Sequence, residues 1–155
     1  MADRIALMRA GRIVQMGAPY HVYNNPVDRD AAAFFSDINV VTGVVENALT
    51  DTPFGQFLAP GFENGTTVEI VIRPQHLRLD FDRGGNQPRV TRDAGVPAMG
   101  SVVRARYLGH QSLVELRMDT GDVLKVVVPS VFLPEVGRQF WLTMRRDRCH
   151  VFAKT

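Results

Sequence analysis

Ser101–Met118 reads SVVRARYLGHQSLVELRM, and its alternation decides the fold class. Val103, Ala105 and Tyr107 alternate with Arg104 and Arg106; beyond Gly109, Val114, Leu116 and Met118 alternate with Glu115 and Arg117. Successive side chains of an extended strand point to opposite faces, so a period of two predicts half-buried strands rather than a helix. Thr120-Gly121-Asp122 then forms a tight connection to Val123–Val128, a hairpin signal.

Outward from this stretch the same rhythm recurs. Candidate strands are Val40–Glu46, Gly55–Ala59, Thr67–Arg73, Leu77–Phe81, Gln139–Met144 and Cys149–Ala153. Many short strands punctuated by Gly and Pro predict a small antiparallel barrel over residues 39–155, with Val114, Leu116, Val126 and Leu142 inside. Asp82–Pro97 is polar and aperiodic, and reads as a long loop between two halves of the β-region.

The first 38 residues have a different grammar. An apolar strand (Ile5, Leu7) meets a turn at Arg9-Ala10-Gly11, and Ile13, Val14 and Met16 form a second strand. Gly17 and Pro19 break that run, and a short helix around Tyr20–Tyr23 stops before Pro26. Asp28-Arg29-Asp30 opens a helical stretch in which Ala31, Phe34, Phe35 and Ile38 share one face, its acidic residues near the N-terminus where the helix dipole favours them. A lone hairpin is marginal and its free edges invite a partner. The apolar faces carrying Ile5, Leu7, Ile13, Phe34 and Phe35 must therefore pack on the chain's own barrel or on a second copy, which makes a homodimer the expectation.

Composition excludes several functions. The chain has 18 basic and 16 acidic residues, and 45% of it is hydrophobic. Residues 1–38 hold four charges of each sign, leaving fourteen basic and twelve acidic in the remainder. Such interleaving describes a solvated surface rather than the clustered basic footprint of a nucleic-acid binder. Cys149 is the single cysteine, so there is no internal disulfide, which fits a reducing compartment. No stretch approaches the ~20 apolar residues that span a bilayer, and no signal peptide precedes the hairpin. These features predict a soluble, cytoplasmic chain.

No catalytic, cofactor-binding or metal-binding residue is assigned. His21, His76, His110, His150 and Cys149 are scattered, without the paired spacing of a structural zinc site. The only lysines, Lys125 and Lys154, do not follow a glycine, so no phosphate-holding P-loop exists. Arg104, Arg106 and Arg117 could line a nucleic-acid groove, but Tyr107 is the one aromatic among them and Trp141 lies among apolar neighbours, so a solvated barrel face is the better reading. Arg73-Pro74 reads as a ladder stop with the arginine packing at the barrel rim. Tyr107-Leu108-Gly109 reads as a strand end with a core tyrosine and a turn glycine.

The N-terminal residues Ala2-Asp3-Arg4-Ile5, Met8, Gly11, Ile13, Gln15, Gly17, Pro19, Tyr23, Pro26 and Phe34 resemble, in type and spacing, the last segment of the ATPase subunit of ABC importers. The β-region resembles the OB-like regulatory domain (TOBE) of the same subunits. The likeness is carried by Ile72-Arg73-Pro74-Gln75-His76-Leu77-Arg78-Leu79, Tyr107-Leu108-Gly109, Val114-Glu115-Leu116, Val128-Pro129, Gly137 and His150-Val151-Phe152. Gln75 departs from the acidic residue common at that point.

The resemblance implies a remnant of the ATPase domain at 1–38 and an OB-like TOBE domain at 39–155. It implies a regulatory and dimerisation role without ATP hydrolysis, because the P-loop, the magnesium ligands and the γ-phosphate-sensing histidine all lie upstream in the family. ATP and Mg would belong to the full-length parent. Partners would be a second copy, the ATPase domain and the transmembrane permease subunits, which would hold the parent on the cytoplasmic face of the inner membrane. Met1 before a motif found mid-protein favours either an engineered form or a truncated gene over a piece of a longer chain, and both of the first two stay open. Thr52-Pro53-Phe54-Gly55 and Ala59-Pro60-Gly61 most resemble the ferric-iron branch. Two alternatives stay open. One is a molybdate-type oxyanion barrel, which wants amides and Ser, Thr or Lys converging at a subunit interface; the other is a single-stranded nucleic-acid-binding OB fold.

Overall fold

The turn Ala10-Gly11 places two successive residues at positive φ, +52° and +77°. That is the geometry whose twist matches a two-residue hairpin, and it closes β1 (Ile5–Arg9) on β2 (Arg12–Gly17). The computed structural model describes residues 3–80 and 96–154. It divides into two compact units, Met1–Ile38 and Asn39–Thr155.

In the first unit the hairpin is followed by α1 (Pro19–Asn24) and α2 (Arg29–Ala33). Pro19 sits in the first turn of α1, where a missing N–H costs nothing. Asp28 caps α2 by accepting from the Ala31 amide (2.9 Å), and it also takes two bonds from the Arg9 guanidinium (2.9 and 3.1 Å). The core is small: Leu7, Val22 and Ala31, flanked by Ile5 and Val14. Two details of this unit come from the backbone. Register skips Val14, so the bulge turns Val14 rather than Ile13 inward, and Ile13 stays 54% exposed. Helix α2 ends at Ala33, so Phe34 never joins the face of Ala31 and is 63% exposed. Phe35 also remains exposed, meeting Phe34 and Tyr23 edge to face.

Among the described residues the second unit has ten strands: β3 (Asn39–Val44), β4 (Leu49–Thr52), β5 (Gly55–Leu58), β6 (Thr67–Ile72), β7 (Leu77–Asp80), β8 (Ala98–Tyr107), β9 (Ser112–Met118), β10 (Val123–Val128), β11 (Gln139–Met144) and β12 (His150–Ala153). Five form an antiparallel, nearly closed barrel in the order β10-β9-β8-β11-β7. A three-stranded sheet, β12-β6-β3, and the hairpin β4-β5 complete the unit. Among the described residues seventeen buried apolar side chains form one core, including Leu116, Leu124, Val126, Leu142, Ile70, Ile72 and Phe54. Val114, Leu116, Val126 and Leu142 are all fully buried, as the alternation requires.

Two differences from the expected strands have local causes. Strand β4 was not legible because LTDT carries no apolar alternation; it forms because Thr52 bonds across the turn to Phe54 N–H and Gly55 C=O. A bulge at Val103 shifts the β8–β9 register between Val102 and Arg104. Before the bulge the even positions point inward, so Val102 is buried where Val103 was expected; after it, Ala105 packs on the core. Phe81 and most of the predicted loop Asp82–Pro97 lie outside the described residues.

Asn39 joins the two larger sheets. Its side-chain amide donates to Lys125 C=O (2.8 Å) and accepts from Lys125 N–H (2.7 Å), standing in for a strand on the outer edge of β10. Gly100 has a steric reason to be glycine: a Cβ there would sit 3.0 Å from Leu116 Cβ and 3.2 Å from Leu142 Cδ1.

Candidate functional site

The ladder ends at Arg73, whose successor Pro74 cannot donate. The Arg73 carbonyl accepts from His76 N–H (2.9 Å), closing a 3₁₀ turn over Pro74–His76 that redirects the chain into β7. His76 C=O then accepts from Arg145 N–H (3.1 Å), tying this turn to the end of β11. Arg73 is 2% exposed, the largest fully buried side chain among the described residues.

Around His76 the electrostatics are cationic. Burial depresses the imidazole pKa below its ordinary value, and Arg148, Arg73 and Arg145 push it further down against the weaker pull of Asp147. His76 is therefore neutral at pH 7, and its Nδ1 is sealed from solvent without a hydrogen-bond partner. His150 is also depressed, first by burial and then by Arg73. Arg145 forks onto Asp147 (2.8 and 3.3 Å), which holds that carboxyl below the usual range. Arg146 lies over the Phe57 ring (4.8 Å) and donates to the carbonyls of Phe54 (3.4 Å) and Gln56 (3.0 Å). Cys149 donates its thiol to Arg146 C=O (3.0 Å), and burial raises its pKa to about 11, so the nucleophilic thiolate is absent at neutral pH.

Beside this corner a groove of about 600 Å³ runs between β7 and β10, the two end strands of the barrel order. Its wall includes His76, Arg78, Leu79, Val127, Ser130 and Arg145.

The other singled-out residues do not converge. His21 is exposed on α1 and His110 is exposed between β8 and β9. Among the described residues no group of three or more His, Cys, Asp or Glu side chains could hold a metal ion. Arg104 stands opposite Glu115, which stands opposite Lys125, so the arginine face of β8–β10 alternates in sign across the sheet. Tyr107 is not a core residue: it is 46% exposed at the strand end, with its hydroxyl bonded to Gly109 C=O (2.9 Å). Trp141 is half-buried on β11, opposite Asp80 and Met99. The cationic segment Arg145–Arg148 escaped the sequence reading, although three arginines in four positions were a readable signal.

The architecture is that of a mainly β, OB-like domain built on a nearly closed antiparallel barrel. The chain belongs to the TOBE domain family, whose model matches residues 70–152.

Among curated relatives, the chain is 31% identical to "Fe(3+) ions import ATP-binding protein FbpC 2" of Rhodococcus jostii over 78% of its own length and 32% of that protein. It is 32% identical to the spermidine/putrescine import ATP-binding protein PotA of Thermotoga maritima, over 81% of this chain and 35% of that one. It is 28% identical to the maltose/maltodextrin import ATP-binding protein MalK of Salmonella typhimurium, over 98% and 42%. The chain thus spans about a third of the length of the first curated relatives it matches. Among solved structures it is similar to the cytoplasmic molybdate-binding protein ModG, in a molybdate-bound form. That likeness has a TM-score of 0.57 at 16% identity, covers 75% of this chain and 96% of that one, and is a likeness of fold.

Proposed function

We propose that this chain is the regulatory and dimerisation part of the ATP-binding subunit of an ABC importer whose cargo is ferric iron. The observation that carries the reading is the span of the matches. Import ATP-binding proteins align with the hairpin unit and the TOBE barrel together, in one case over 98% of the chain. In this reading the barrel holds two copies of the subunit as a pair, and the pair sits at the cytoplasmic face of the membrane through its permease partners. A regulator acts through the barrel by binding one arrangement of the pair better than another. Hydrolysis belongs to a P-loop domain, whose motif the 155 residues do not contain.

Light scattering tests the pairing. A mass of two chains is expected at micromolar concentration, and a monomer both for the full chain and for a version starting at Asn39 would sink it. Nucleotide turnover by the purified chain above a buffer control would sink the division of labour. The cargo is tested by deleting the gene: ferric-iron uptake should fall while spermidine and maltose uptake persist, and loss of either of those instead would reassign it.

A further inference from the structure

We propose that the groove along the seam of the barrel binds an organic anion of metabolite size, its carboxylate or phosphate held by Arg78 and Arg145 and its carbon body laid along Leu79, Val127 and Val128. The seam is a built concavity with donors on both walls. On β10, Met118 N–H donates to Asp122 C=O (2.8 Å), which makes Leu116–Leu124 and Val114–Val126 the hydrogen-bonded pairs and turns Lys125 and Val127 away from β9. The double bond from Asn39 to Lys125 has that same polarity and ends one step short of Val127. On β7, the Arg145–His76 bond makes Arg78–Thr143 a bonded pair and turns the Leu79 N–H and C=O away from β11. Both walls of the groove therefore present main-chain polar groups that the barrel ladder does not use, at Leu79 and at Val127.

Charge selects the ligand. Arg78 is exposed on the groove wall, and Arg145 (61% exposed) is shared with Asp147 (54%) in a pair that water screens, so its fork can be recruited by a second anion. Arg73 and Arg148 add positive field at His76 from behind the wall. The carboxylates at the site are Asp80, in the wall, and Asp147, already engaged by Arg145. Size selects it further. A groove of about 600 Å³ lies within the ~300–1,000 Å³ typical of sites for organic ligands. Its floor is the outer edge of the core, Leu77, Leu79, Val128 and Met144, and the half-buried Val127 adds apolar surface on the β10 wall, which a bare tetrahedral oxyanion would leave unused. Ser130, Thr143 and Gln75 supply neutral polar groups at the rim. The site lies within one chain, so the inference stands or falls apart from the importer reading.

Calorimetric titration of the full chain with citrate and with glycerol 3-phosphate tests it, with inorganic phosphate at matched ionic strength as the small-anion control. At least one organic anion should saturate, roughly tenfold more tightly than phosphate, and the stronger of the two names the carboxylate or phosphate class. Arg78→Gln and Arg145→Gln should each lose roughly tenfold in affinity, whereas Arg117→Gln, exposed on β9 and outside the groove, should lose none. The Trp141 fluorescence transition of each variant confirms that it folds. Three results would overturn the proposal: no saturation by either probe at millimolar concentration, inorganic phosphate binding as tightly as both, or an equal loss in Arg117→Gln.

Discussion

The two units are both opened by β-strands, yet they hold themselves together differently. Asn39–Thr155 closes its strands around a core of seventeen buried apolar residues, while Met1–Ile38 has three, Leu7, Val22 and Ala31. The smaller unit leans on directed polar contacts, with Asp28 at once a helix cap and the acceptor of the Arg9 guanidinium, and Gln15 bridging Asn25 C=O and Val27 N–H. It leaves Met8, Ile13, Met16, Tyr20 and Phe34 at least half exposed. The lesson is one of surface and volume. Thirty-odd residues cannot bury enough apolar area to offset their ordering entropy, whereas a nearly closed barrel packed with a second sheet can.

That contrast can be broken most sharply in the core. The single tryptophan, Trp141, lies on β11, so its fluorescence reports the second unit. Leu116→Ala should lower the free energy of that transition by about 2–5 kcal/mol, because Leu116 is fully buried beneath Gly100 and close packing cannot collapse to fill the void. Leu7→Ala should leave the same transition where it was. Equal shifts from both would mean the units unfold as one.

The clamp between sheets comes next in size. Asn39→Ala removes both hydrogen bonds from its side chain to the Lys125 main chain and should cost about 1–3 kcal/mol in the Trp141 transition. Asn39→Asp sharpens the point: its carboxylate still accepts from Lys125 N–H but faces the Lys125 carbonyl without a donor, so it should recover only part of the loss. Full recovery would show that the amide's donation contributes nothing.

A smaller effect is set by pH. His76 and His150 both have folded pKa values below their ordinary 6.5, chiefly from burial, so below that value the unfolded chain binds more protons than the folded one. Stability of the second unit should therefore be full above 6.5 and decline as the pH falls below it, and His76→Gln should flatten part of the slope. A denaturation midpoint that rises on mild acidification would contradict the placement of both rings.

The smallest effect belongs to the first unit. Arg9→Gln removes an exposed ion pair with Asp28 and Asp30, and no change in the Trp141 transition is expected. Asp28 keeps its bond from Ala31 N–H, so helix α2 should persist by amide exchange, and its loss would show that Arg9 rather than the cap holds it.

Much of the architecture could be read from residues alone. Period-two alternation located β9, β10 and β11 to the residue and buried Val114, Leu116, Val126 and Leu142, since a half-buried strand cannot shift by one without turning its apolar side to water. Glycine and proline marked the hairpins at Gly11 and Gly121 and the ladder stop at Pro74, because those residues act through local backbone geometry. Other features needed the third dimension. The bulges at Val14 and Val103 exchange inner for outer residues, and nothing in the local composition marks them. The Asn39–Lys125 clamp spans 86 positions, and the corner of Arg73, His76, Arg145 and Arg148 gathers the end of β6 with the end of β11. Such sites are assembled by sheet closure, a long-range event, so the sequence by itself determined most of the strands, and only the tertiary structure decided β4, the bulges and which charges meet.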